Sequence, residues 1–135
     1  MDKIIVTPLK QIHHPKGDVF HAMKKSDNGF DGFGEAYFST INKKEIKGWK
    51  KHTQMTLNLV VIIGEIEFVV FDEDSQEFFS INLSQHNYNR LTVKPNVWMA
   101  FRGIGEYNML LNLANLEHDP IESQSMELDK ISYEW

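Results

Sequence analysis

Two adjoining runs carry the fold: TLNLVVII (Thr56–Ile63) and EIEFVVFD (Glu65–Asp72), with Gly64 between them. The first is rich in branched side chains and reads as a buried strand. In the second, Glu65 and Glu67 alternate with Ile66 and Phe68, the period of a half-buried strand. Gly64 supplies the turn that folds one back on the other. Glu73–Gln76 is a polar turn, and Phe78–Leu83 returns as a strand. Arg90–Val93, Val97–Arg102 and Tyr107–Asn115 follow at short intervals, and Gly34–Thr40 precedes them. Short strands broken by frequent turns predict an all-β antiparallel sandwich or barrel. One helical turn is expected at Ser84–Asn87 and a short terminal helix at Glu122–Asp129. The glycine- and aspartate-rich stretch Lys24–Gly34 is expected to be a loop; its oxygens lack the spacing of a calcium-binding loop.

The chain has 135 residues, and residues 1–135 are expected to form one domain. Nineteen acidic against 14 basic residues give a formal net charge of −5. That balance argues against a nucleic-acid partner, which calls for a basic surface. There is no cysteine, hence no disulfide, thiolate metal site or cysteine nucleophile. Apolar runs such as Leu59–Ile63 are far shorter than the roughly 20 residues of a membrane span, and no signal-peptide pattern opens the chain. A cytoplasmic protein with no membrane partner is expected.

Polar residues in strand-like surroundings mark a site. Lys43, Lys44, Lys47, Lys50 and Lys51 crowd one segment around Trp49. Such a cluster can hold a diphosphate and stack a base or sugar, or simply solvate a loop. If the chain runs extended from Lys50 to Asn58, then Lys50, His52, Gln54, Thr56 and Asn58 share one face, as in the lining of a barrel pocket. Histidine is a residue type suited to proton transfer, so His52 is a candidate base, or it is a structural hydrogen-bonder. Asn108 and Asn112 share a face of an apolar strand and must find partners, either ligand hydroxyls or loop carbonyls. Arg102 shares a face with Trp98 and Ala100 and is a candidate pocket charge.

The order His52-Thr53-Gln54, Asn58, Gly64 resembles the metal-binding motif of cupins, His-x-His, glutamate, glycine, with amides at two of three ligand positions. No histidine follows Pro95, where the second cupin motif would have one. The resemblance is to a metal-free cupin. Within cupins the chain is similar to the dTDP-4-dehydrorhamnose 3,5-epimerase family. Lys16-Gly17-Asp18-Val19-Phe20 resembles its Arg-Gly-x-Phe motif with one insertion. Glu35–Ser39 followed by Lys47-Gly48-Trp49-Lys50 resembles its strand and Arg-Gly-Leu-His. Asn58-Leu59-Val60 with Gly64-Glu65-Ile66 resembles its Lys-Leu-Val and Gly-x-Val, and Leu83-Ser84 onward to Pro95 its Leu-Ser…Pro segment. Asp119-Pro120-Ile121-Glu122 resembles its Asp-Pro-Glu turn. The family's base position falls on Lys50, with His52 one pleat further; its second cation falls on Asn58 and its tyrosine acid on Asn112. Its base-orienting aspartate falls beyond Trp135.

The resemblance implies a cupin jelly-roll barrel that uses no metal or other cofactor. It implies a nucleotide-sugar epimerase or isomerase acting on a dTDP-4-keto-6-deoxy or related keto-sugar, of the kind used in surface-polysaccharide biosynthesis. His52 would be the base and Lys50 the enolate stabiliser; Lys47 and Lys16 would hold the diphosphate. Trp49, Gln54, Asn58, Arg102 and Asn112 complete the expected substrate-binding set. The alternative is a sugar- or nucleotide-sugar-binding cupin without catalysis, in which Asn58 and Asn112 read hydroxyls. Apolar residues on both faces of neighbouring strands (Phe68, Val70, Phe71, Val60, Ile62) lead to the expectation of a homodimer, with a partner covering one face.

Overall fold

A computed structural model describes residues 1–135. The strands are β1 (Ile4–Pro8), β2 (Gln11–Ile12), β3 (Val19–Phe20), β4 (Glu35–Asn42), β5 (Ile46–His52), β6 (Leu57–Ile63), β7 (Glu65–Asp72), β8 (Glu77–Ser84), β9 (Asn89–Val93), β10 (Trp98–Gly103), β11 (Tyr107–Ala114) and β12 (Ser123–Ser125). One five-stranded sheet has the order β1-β9-β6-β11-β4 and the other β12-β5-β10-β7-β8. All their pairings are antiparallel, and β2 and β3 form a separate hairpin. No helix is long and apolar enough to cross a membrane.

Alternation sorts each strand between two environments. Leu57, Leu59 and Val61 of β6 face the interior with Ile66, Phe68 and Val70 of β7, within a core cluster of 14 buried residues between the sheets. The odd-phase residues of β7, Val69 and Phe71, face outward. They meet a second cluster of Trp49, Trp98, Ala100 and Ile131, against which Leu128, Tyr133 and Trp135 pack. The chain's own C-terminal segment thus packs on that outer apolar face.

Gly64 sits between the two sheets with φ +78°, and an added Cβ would lie 2.2 Å from the Tyr107 carbonyl oxygen. Backbone cannot withdraw as a flexible side chain can. Gly64→Ala is therefore expected to lower stability by more than about 2 kcal/mol in urea unfolding.

Two expected helices are absent. Ser84–Asn87 is a turn closed by mutual Ser84 and Asn87 backbone bonds, with Ser84 Oγ accepting from the His86 amide. Residues 120–130 form two single turns of 3₁₀ helix around β12, which adds to the edge of the second sheet. Intrinsic preference loses there to pairing with an otherwise open strand edge.

The expected continuous strand from Lys50 to Asn58 is also broken. β5 ends at His52 in one sheet and β6 begins at Leu57 in the other, so residues 53–56 form a corner. The corner resets the pleat, and the two ends of the polar row face different surroundings.

Candidate active site

A cavity of about 720 Å³ opens between the sheets. Tyr37 and Ser39 of β4, Leu110 and Asn112 of β11, and Leu57 and Leu59 of β6 form one wall. Lys47, Lys50 and His52 of β5 with Met99 and Phe101 of β10 face them, and Ser125–Leu128 close a side. Lys50 and Met99 are directly paired across β5 and β10, which puts them on the same face. Glu127 is the one acidic residue of the lining.

His52 is held by a carboxylate that sequence reasoning did not assign to the site. Its Nδ1 lies 2.6 Å from Glu122 Oε1, with the two side chains only 15% and 5% exposed. The other oxygen of Glu122 accepts the backbone N–H groups of Thr53, Gln54 and Met55, each at 3.0 Å. Burial opposes ionisation of this carboxyl, but the bonds from His52 and from the Gln54 and Met55 amides outweigh it and hold the pKa at about 2. An ionised carboxylate only accepts, so Nδ1 of His52 carries the hydrogen. In the neutral ring this tautomer leaves the lone pair on Nε2. Part of the signal was legible: Glu122 lies in the Asp119–Glu122 turn, but that the turn folds back onto the β5 corner is tertiary information.

Tyr37 is the second residue the sequence did not single out. Its hydroxyl accepts from Nδ2 of Asn112 at 3.1 Å. Asn112 Oδ1 accepts from the Asn58 backbone N–H at 3.2 Å, which fixes the orientation of the amide. The phenolic hydrogen of Tyr37 is therefore free to donate to another group. The alternation of Tyr37, Ser39 and Ile41 along β4 carried a trace of this.

The remaining expected site residues separate into two groups. Lys47, Lys50, His52 and Asn112 line the cavity. Lys47 is partly engaged: Nζ donates to Thr40 O (2.8 Å) and Ser39 Oγ (3.2 Å), so one of its three hydrogens remains. Asn112 acts on the cavity through Tyr37. The others are corrected by the structure. Trp49 borders the cavity, but alternation against Lys50 turns its indole outward; it is 1% exposed in the second cluster and donates to Leu128 O. Gln54 sits in the corner with its side chain exposed and only its amide engaged by Glu122. Asn58, displaced by the reset pleat, lies on the outer face of the first sheet. There it accepts from Arg90 Nε and Thr92 Oγ1 and donates to Gly29 O. Arg102 is opposite Glu67 on the outer face of the second sheet, with NH2 2.8 Å from Oε1. Lys16 lies in the turn of the β2–β3 hairpin, outside the cavity lining.

His52, Gln54 and Asn58 thus diverge, and no three His, Asp or Glu side chains are grouped so as to hold a metal ion. Asn108 takes the bland option: its amide bonds the Ile41 and Gly105 carbonyls and the Glu65 and Gly105 N–H groups.

The two antiparallel sheets with a cavity between them give the chain an all-β, cupin-type jelly-roll fold. Its build is that of the dTDP-sugar isomerases and of the dTDP-4-dehydrorhamnose 3,5-epimerases. A dTDP sugar isomerase from Desulfovibrio desulfuricans superposes with a TM-score of 0.89 at 28% identity, over 93% of this chain and 85% of that one. A 3,4-ketoisomerase variant from Thermoanaerobacterium thermosaccharolyticum, in complex with TDP-4-keto-6-deoxyglucose, gives 0.79 at 22% identity over 92% and 88%. A 3,5-epimerase from Legionella pneumophila, in complex with dTDP-4-keto-L-rhamnose, gives 0.82 at 16% identity over 93% and 73%. No protein-family model matches the chain, and a search of curated proteins finds no match.

Proposed function

We propose that this chain is a nucleotide-sugar isomerase or epimerase that acts on a dTDP-linked 4-keto-6-deoxy sugar by proton transfer next to the carbonyl. The observation that carries the reading is His52 on the cavity wall, held from behind by Glu122, with Tyr37 on the opposite sheet. Its fold likeness to enzymes named for that chemistry supports it. Nε2 of His52 takes the proton from the carbon beside the carbonyl; the C–H electron pair forms the enolate double bond and the C=O π pair moves onto the oxygen. Glu122 holds the ring and stabilises the imidazolium that forms. Lys50 offers a positive charge to the enolate oxygen. The free hydrogen of Tyr37 is placed to be given to the enolate carbon as the carbonyl re-forms; His52 then releases its proton to solvent, and the tyrosinate takes one from solvent. Lys47 binds the diphosphate with its remaining hydrogen.

Incubating a dTDP-4-keto-6-deoxy sugar with the protein in heavy water is expected to place deuterium beside the carbonyl. Tight binding with no deuterium incorporation across a panel of keto-sugars would establish the non-catalytic binder instead.

We also propose that the protein works as a homodimer. The outer face of the first sheet carries exposed aromatic side chains, Phe38 at 60% and Tyr107 at 54% exposure, that a partner subunit would cover. Light scattering is expected to give twice the chain mass, and Phe38→Asp to halve it; a parent protein at the chain mass would overturn this.

A further inference from the structure

The cavity walls are not equally held. Most of the lining belongs to strands inside two five-stranded sheets, whereas Ser125–Leu128 belong to a C-terminal strap. The strap is anchored at both ends. Before it, Glu122 accepts four hydrogen bonds from His52 and the β5–β6 corner. After it, Ile131 is buried, Tyr133 packs 5.3 Å from Phe78, and Trp135 packs 6.1 Å from Trp49. Between these anchors, no residue from Ser123 to Lys130 is buried. What holds the middle is the three-residue pairing of β12 with β5, the Met126 amide on Trp49 O, the Trp49 indole on Leu128 O, and the half-buried side chains of Met126 and Leu128 resting on the second cluster. Few buried contacts and solvent-exposed backbone bonds are the marks of a segment that opens locally.

We propose that Ser123–Lys130 is a movable wall: β12 unpairs from β5 to admit the ligand and re-pairs over it. Ser123 is the direct cross-strand partner of His52, and Glu122 precedes it. Re-pairing therefore closes the cavity directly beside the histidine that the anchored Glu122 already holds. Water is shut out around a base whose orientation is already set. The inference rests on the nucleotide-sugar reading for its ligand, but the hinge itself follows from the packing alone.

The absence of cysteine allows a clean test. Lys51 and Gln124 face each other across β5 and β12. Lys51 lies on the outer face, over Trp98 and paired with Glu73, away from the proposed chemistry. In the double variant Lys51→Cys/Gln124→Cys, oxidation is expected to slow dTDP association by about tenfold or more in stopped-flow fluorescence, and reduction to restore it. In the parent protein, the Met126 and Lys130 amides are expected to exchange with deuterium at least about tenfold faster than the amides of β10, and to slow when dTDP is added. Equal association rates before and after reduction would overturn the movable wall, as would strap amides protected like those of β10. Failure of the parent protein to bind dTDP would count against the nucleotide-sugar reading instead. The exchange rates of the free protein would still decide the hinge.

Discussion

His52→Ala is expected to lower deuterium incorporation into a dTDP-4-keto-6-deoxy sugar by about a thousandfold, with nucleotide affinity within a few-fold of the parent. The size follows from the geometry. His52 is the one lining side chain whose second nitrogen is locked to a buried carboxylate, which leaves a defined lone pair. Lys50 sits two residues away on the same face, but as an ammonium ion it is an acid and not a base. Alanine removes the base while leaving the corner bonds between Glu122 and residues 53–55 in place, so the fold and the rest of the cavity persist. Isotope exchange is the appropriate readout because it reports C–H cleavage even where no net product accumulates. An alanine variant that exchanges at the parent rate would remove His52 from the chemistry.

Glu122→Gln is expected to cost nearly as much activity and much less stability. The amide oxygen can still accept the Thr53, Gln54 and Met55 N–H groups, so the corner stays formed. The NH₂ group then faces Nδ1 of His52, and a donor there demands an acceptor. The ring must move its hydrogen to Nε2, leaving no lone pair there. Loss of the correct tautomer is expected to lower the rate by about 10³-fold or more. Glu122→Ala differs, because it strands three backbone donors as well. It is expected to cost roughly 3 kcal/mol or more of stability in addition to activity. The same carboxylate sets an acid limit. Its folded pKa of about 2 lies below the ordinary 4.5, so its contribution to stability is complete above pH 4.5 and is lost as pH falls toward 2. Acid unfolding of the parent should show this loss, and Glu122→Gln should flatten it. A Gln variant with parent activity would make Glu122 a structural residue only.

The strands were legible because their pattern is local. Thr56–Asp72, with Gly64 at its centre, shows two strands and the reversal between them, and the left-handed φ at Gly64 is what only glycine supplies without strain. The short strands that follow repeat the same alternation. What the sequence could not show is where the pleat resets. A strand from Lys50 to Asn58 reads as one polar face, but the chain crosses between sheets at residues 53–56, so Asn58 ends on Arg90 while His52 enters the cavity. Trp49 was grouped with the lysines by chemistry, and alternation sends it outward; Arg102 does share a face with Trp98 and Ala100, but that face is the outer one.

Composition and period by themselves determined an all-β chain with no cysteine chemistry, a net charge of −5 and a histidine placed among polar strand residues. Those features depend on single residues and on neighbours two apart, which the sequence records directly. The partners of that histidine were decided only by tertiary structure. Glu122 lies 70 residues from His52, and Asn112 lies 75 from Tyr37. Each meets its partner because two sheets and a C-terminal strap close on one another. A hydrogen bond of that reach depends on the register of several strands at once, and no local pattern encodes it.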